Sequence, residues 1–190
     1  ANGWALDVYE SAHPAVSAVL SVGTSTAMLA ALIKVAPILP SSVATVLAAA
    51  GVLSFAASNL MGMRQRNARR MLGYSSVAQI GLVVGVIAGA RAVPGVDAQT
   101  TALVAGGLIL NHFLAKGGLF WLVDALGIRG IESARGRLRG SYGLTLLFGL
   151  LIVGLAGLPP FPGFWAKWQL VVSLAGGGQF LWIALLLAGS

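Results

Sequence analysis

Long apolar stretches, parted by short segments rich in arginine, proline or glycine, organise this chain. A helix needs roughly 20 apolar residues to cross a bilayer. On that measure the pattern predicts helices over about 13–36, 42–63, 70–90, 99–126, 142–158 and 161–175, with a partial run over 179–190. An amphipathic lead-in, "ANGWALDVYESAHP", precedes the first run, and Pro37 and Pro40 close it. "RQRNARR" follows the second run and "RAVPGVDAQ", with turn chemistry at Pro94 and Gly95, the third. "GIRGIESARGRLRG" follows the fourth, "LPPFPGF" joins the fifth to the sixth, and Gly176, Gly177 and Gly178 break the sixth. The last run is too short to span. Six to seven helical spans result, read as a single transmembrane domain over 1–190.

Composition turns this pattern into a fold class. The chain is 57% hydrophobic and 9% charged, whereas soluble domains carry about 25% charge. A soluble fold of 190 residues has too little interior to hide that much apolar surface. The expectation is an all-α integral membrane protein, a polytopic helical bundle. There is no cysteine, hence no disulfide, thiolate metal site or thiol nucleophile. The net charge of +7 does not point to nucleic acid, because the arginines cluster in short loops between apolar runs. If the N-terminus defines one side, the loops reaching that side carry Arg64, Arg66, Arg69, Arg70, Arg129, Arg135, Arg137 and Arg139; the opposite side receives Arg91. That asymmetry places the arginine-rich side in the cytoplasm, in the inner or plasma membrane of a prokaryote. No signal peptide is visible, and the polar start at Ala1 leads us to expect a piece of a longer subunit.

Against this background two lysines stand out. Lys116 and Lys167 each lie within a long apolar run. An ammonium at bilayer depth costs about 2.5–3.5 kcal/mol on insertion scales, so the default reading is an ion or proton pathway. His112 lies four residues before Lys116 on the same helix face, next to Asn111. Histidine titrates near neutrality, so the pair can hand a proton on; the alternative is a lysine tied to backbone carbonyls for packing. Lys167, between Trp165 and Trp168, is either a relay or a lysine snorkelling to an aromatic belt. Lys34, ending the first run on the side opposite the arginines, is an exit-side group or another snorkelling lysine. Ser21, Thr24, Ser25 and Thr26 lie mid-run, where hydroxyls bend a helix or line a hydrated path. Asp7, Glu10 and His13 form a cluster on the cytoplasmic side or, the preferred reading, cap the first helix and face solvent. Gly106, Gly107, Gly117 and Gly118 are expected to permit close helix packing.

Pro159, Pro160 and Pro162 with Gly163 predict a break. Proline removes a donor and clashes with the preceding turn, and backbone left unpaired at membrane depth must be buried in protein or line a wet cavity. Transporters build ion sites at such breaks; a plain turn at the membrane surface is the other reading. No catalytic constellation, metal-ligand cluster or nucleotide-binding loop is present in the sequence.

Four segments, "LDVYESAHPAVSAVLSVG", "NARRMLGYSSVAQIGLVV", "LNHFLAKGGLFWL" and "LAGLPPFPGFWAKW", occur in one order over roughly 5–175. Together they resemble the antiporter-like membrane subunits shared by respiratory complex I, membrane-bound hydrogenases and Mrp-type cation/proton antiporters. The resemblance implies a fold built on inverted repeats, each with one broken helix, and a central axis of buried protonatable residues. In that frame Lys116 matches the central lysine, His112 its histidine, Lys167 the basic or acidic residue of the second broken helix, and Lys34 a basic position ending the first. A lysine usual in the middle of the first broken helix is replaced here by Ser25 or a neighbour, and its glutamate partner belongs to an earlier helix. The implied function is proton translocation within a redox-driven NADH:quinone oxidoreductase or hydrogenase-type complex, through Lys116, His112, Lys167, Lys34, Ser25, Thr24 and water. An Mrp-type Na+(K+)/H+ antiporter subunit and a non-conducting scaffold are the alternatives. Expected partners are other membrane-arm and redox subunits and the bilayer; flavin, Fe–S or quinone cofactors would sit in partner subunits only.

Overall fold

The computed structural model describes residues 3–90 and 97–188. Arg91 and the Pro94-Gly95 turn lie outside the described residues. The elements in chain order are α1 (Gly3–Ser11), α2 (Pro14–Val19), a π-helical turn (Leu20–Thr24), α3 (Ser25–Val35), α4 (Ser41–Gly62), α5 (Ala68–Gly89), α6 (Ala98–Ala125), α7 (Tyr142–Ala156), α8 (Pro162–Gly176) and α9 (Phe180–Ala188). The polar segments between apolar runs supply the caps: Asn67 Oδ1 accepts from the Arg70 N–H at 3.1 Å, Asp97 Oδ1 from the Thr100 N–H at 2.6 Å, and Ser141 Oγ from the Leu144 N–H at 3.4 Å.

Among the described residues four helical stretches are long and apolar enough to cross a membrane: Ala15–Ile38, Ser41–Gly62, Ala68–Gly89 and Ala98–Ala125. The first is α2, the π-turn, α3 and a closing 3-10 turn (Ala36–Ile38) in succession. The fifth and sixth apolar runs, separate in the sequence reading, are two halves of one crossing. Along α6, Gly118 abuts Leu151 of α7, Asn111 meets Gly154 and Gly163, and Gly107 abuts Ala166 of α8. The contacts advance in opposite directions along the two chains, so α7 and α8 run antiparallel to α6 and share its length. Proline chemistry around 157–161 stops one half-helix and starts the next.

Glycine sets the closest helix approach. A Cβ at Gly51 of α4 would stand 2.6 Å from the Gly81 carbonyl of α5, so the two backbones touch there. On α6 the expectation for glycine divides: Gly107 and Gly118 face close neighbours, whereas Gly106 and Gly117 face open space.

At the N-terminus, α1 is a helix of its own, laid against α5 with Leu6 and Tyr9 over Gly73. His13 caps α2, its Nδ1 accepting from the Ala15 N–H at 3.4 Å. Glu10 does more than cap: it accepts from Asn67 Nδ2 and from the Arg70 guanidinium, both at 3.0 Å. These bonds, the Ala68 N–H to Arg129 carbonyl bond (3.0 Å), and the Ile131 N–H to Arg66 carbonyl bond (3.1 Å) gather α1 and both arginine-rich loops at one end of the bundle.

The core has two apolar parts. Ala18, Leu72, Leu119, Phe120 and Val123 fill the arginine end, and Leu29, Val83, Val86, Val104 and Leu108 fill the other. Between them on the same helices lie buried polar residues: Ser21 and Ser25, Ser76, and Asn111, His112 and Lys116. A polar layer thus crosses the middle of an apolar bundle.

Candidate functional site

The site is built around the midpoint of α6. Asn111 and His112 occupy the middle of this helix and reach the two interruptions of the fold in opposite directions. Asn111 Nδ2 donates to the Gly154 carbonyl in the last turn of α7 at 2.8 Å. His112 Nε2 lies 3.4 Å from the Ser21 carbonyl in the π-turn. A π-turn displaces the regular ladder and leaves backbone carbonyls available; the half-helix break does the same. Two adjacent polar side chains therefore serve both breaks.

Lys116 lies one turn further toward the arginine end. It is fully enclosed, and its Nζ donates to the Leu72 carbonyl of α5 at 2.7 Å. That carbonyl also accepts from Ser76 Oγ at 3.0 Å. Among the described residues no carboxylate approaches Lys116 within ion-pair distance; the ion pairs present are Arg69 with Asp124, and Arg70 with Asp7 and Glu10. A buried cation without a counter-ion is costly, and carbonyl dipoles compensate part of that cost.

Lys167 is half-buried on α8, while Trp165 and Trp168 point outward, 59% and 54% exposed. The tryptophans point away from the bundle; the lysine turns inward. Its Nζ lies 3.1 Å from where a Cβ on Gly157 would stand, so it curls over the left-handed residue (φ 74°) that ends α7. A cation at a helix C-terminus is favoured by the dipole. Lys167 borders a recess with Asn59, Ser75 and Gln79.

Ser25 is buried and borders a small recess together with Thr26, Gln79 and His112. Thr24 is exposed and bonds its own helix through the Leu20 carbonyl at 2.5 Å. Lys34, in the last turn of α3, is exposed at the end of the bundle away from the arginines. The fold brings Lys116, His112 and Ser25 together, sets Lys167 in a separate recess that shares Gln79 with that of His112 and Ser25, and leaves Lys34 apart. Sequence reasoning passed over Gln79, Asn59 and Ser75. The signal for two of them was present: Ser75 and Gln79 stand four residues apart in "NARRMLGYSSVAQIGLVV", on one helix face. Among the described residues no group of three or more His, Asp or Glu side chains could hold a metal.

Comparison with known proteins gives a consistent picture. The family model described as NADH:quinone oxidoreductase/Mrp antiporter, TM matches residues 2–190. NADH-quinone oxidoreductase subunit N 1 of Roseiflexus castenholzii is 35% identical over 181 residues, covering 86% of this chain and 33% of that protein. Subunit N 2 of Symbiobacterium thermophilum is 34% identical, covering 97% and 37%. Among solved structures, the archaeal membrane-bound sulfane sulfur reductase superposes with a TM-score of 0.81 at 26% identity, over 99% of this chain and 39% of that one. The Mrp complex from Dietzia sp. DQ12-45-1b shares the fold at a TM-score of 0.80 and 23% identity, over 98% and 35%. The chain spans about a third of the length of the curated relatives it matches.

Proposed function

We propose, for a chain that belongs to the NADH:quinone oxidoreductase/Mrp antiporter transmembrane family, that its buried Lys116, His112 and Lys167 carry protons as part of an antiporter-like subunit of a redox-driven membrane complex. The observation that carries this reading is Lys116: a lysine wholly enclosed at membrane depth, held by the Leu72 carbonyl, one turn from a buried histidine. Packing alone needs no ionisable group there, and intramembrane lysines mark ion and proton routes.

In this mechanism Lys116 is the central store, His112 its exchange partner, and Lys167 the group that passes the proton onward through internal water. Ser25 and Thr24 border the approach from the first crossing. The driving event is a charge change in an adjoining subunit. A unit charge appearing about 10 Å away shifts the energy of an ammonium by about 1.7 kcal/mol at an effective dielectric of about 20. That is more than a tenfold change in where the proton rests. Flavin, Fe–S or quinone chemistry belongs to the partner subunits, and the arginine-rich end faces the cytoplasm of a prokaryotic inner membrane. The redox-driven reading is preferred to Mrp-type Na+(K+)/H+ exchange because relatives at 34–35% identity are named as NADH-quinone oxidoreductase subunits.

A non-conducting scaffold is the second reading, favoured by Ser25, a hydroxyl where the family usually carries a mid-helix lysine. Proton uptake into native membrane vesicles separates the two. The variants Lys116→Met and Lys167→Met are each expected to assemble at normal levels and to lose coupled proton transport. Undiminished transport after both replacements would contradict the lysine route and favour the scaffold or a proton path through other residues. Sodium- or potassium-dependent exchange without a redox substrate would establish the Mrp-type role.

A further inference from the structure

Three recesses share walls across the polar layer. The first, about 290 Å³, lies between α1, α3 and α5 and is bordered by Tyr9, Thr24 and Ser25. The second, about 10 Å³, is bordered by Ser25, Thr26, Gln79 and His112; it has room for about one water. The third, about 250 Å³, is bordered by Gln79, Asn59, Ser75 and Lys167. Ser25 belongs to the first two and Gln79 to the last two. Lys116 borders none of the three.

A second observation points to a ligand in the small recess. His112 is 6% exposed, and among the described residues its Nδ1 has no protein hydrogen-bond partner. A buried ring nitrogen left unpaired is costly. A water in the recess can satisfy it, with the Ser25 hydroxyl and the Gln79 amide completing the two to four partners that a buried water needs.

We propose that Gln79 is a positioning residue for proton transfer. Its amide, which borders both recesses, anchors a water against His112 on one side of the side chain and water beside Lys167 on the other, so protons pass between His112 and Lys167 beside Gln79. The amide does not itself take up the proton. Its carbonyl accepts from one water and its N–H donates to another, holding the two within hydrogen-bond distance of each other so that the proton hops from water to water beside the amide. Lys116, the central store, charges and discharges through His112, and the proton it releases continues past Gln79 to Lys167. This inference rests on the proton-carrying reading above.

The test uses native membranes carrying the whole complex, with Gln79→Leu, Gln79→His and Lys116→Met. Two readouts are taken: proton uptake into vesicles, and hydroxyl-radical footprinting, in which side chains beside bound water are oxidised on X-ray irradiation. The expected result is oxidation of His112 in the unaltered protein, lost in Gln79→Leu. Proton uptake falls about tenfold in Gln79→Leu, the rate equivalent of one hydrogen bond lost at the barrier, and recovers in Gln79→His, which restores polar atoms. Wild-type uptake in Gln79→Leu alongside loss in Lys116→Met would overturn the role of Gln79 and leave the proton-carrying function standing. Wild-type uptake in both would overturn the function and this role with it. Absence of His112 oxidation in the unaltered protein overturns the bound water directly, whether or not Gln79→Leu assembles.

Discussion

At the scale of single residues, the chemistry concentrates where an apolar helix accepts a charge. Lys116 and His112 were legible in the sequence because nothing else in their run is ionisable before Asp124. Their partners were not legible. The Leu72 carbonyl and the Ser21 carbonyl are backbone atoms, and no residue type announces a carbonyl that a distant lysine or histidine will use. Trp165 and Trp168 obscured Lys167 for a similar reason: composition cannot tell which way a lysine between two tryptophans turns, and packing of α8 against α6 decides it. A residue outside the spans gives a cleaner case. Asp97 accepts the Thr100 N–H at the start of α6, and that bond holds its carboxyl below the usual range. A depressed value means that the cap stabilises α6 above the unfolded aspartate range and is lost as pH falls through the folded value. Carbon NMR titration of Asp97 should therefore give a midpoint below about 3.9; a midpoint at or above it removes the cap from the account.

At the scale of elements, two interrupted crossings meet one continuous helix. The break around 157–161 was legible from its prolines. The π-turn at Leu20–Thr24 was foreshadowed only by mid-run hydroxyls, since no proline marks it. That α7 and α8 form one crossing could not be read from hydropathy, because each half taken with its flanking loop resembles a short span. The α4–α5 contact makes the sharpest prediction at this scale. Gly51→Ala places a methyl 2.6 Å from backbone of α5, which cannot move aside as a side chain would. Overpacking of this kind costs about 1–3 kcal/mol, visible as a lower thermal midpoint in detergent and reduced assembly. Gly106→Ala, with nothing within 4 Å of its added methyl, is the control and should be neutral or slightly stabilising.

At the scale of the whole molecule, the arginine-rich loops, α1 and the start of α5 gather at one end, and the polar layer lies between that end and the opposite apolar cluster. The charge asymmetry in the sequence foretold this grouping, because connected helices alternate sides. These 190 residues contain no cysteine, so labelling of a single introduced thiol is read against the unaltered protein. Ser133→Cys, in the arginine-rich loop, should react with an impermeant maleimide only from the cytoplasmic face, and Ser41→Cys, at the start of α4, only from the opposite face; labelling of both from one side would contradict the orientation. The central claim is narrower: Lys116 must give up and regain a proton during turnover. Lys116→Arg tests it most directly, since arginine keeps the charge and donors for the Leu72 carbonyl but is never deprotonated in proteins. Proton uptake by vesicles carrying an assembled Lys116→Arg complex is predicted to fall to background, with partial recovery in Lys116→His, which can titrate. Wild-type uptake with arginine at this position would mean that Lys116 serves as a fixed charge holding α6 to α5, and that the protons travel elsewhere.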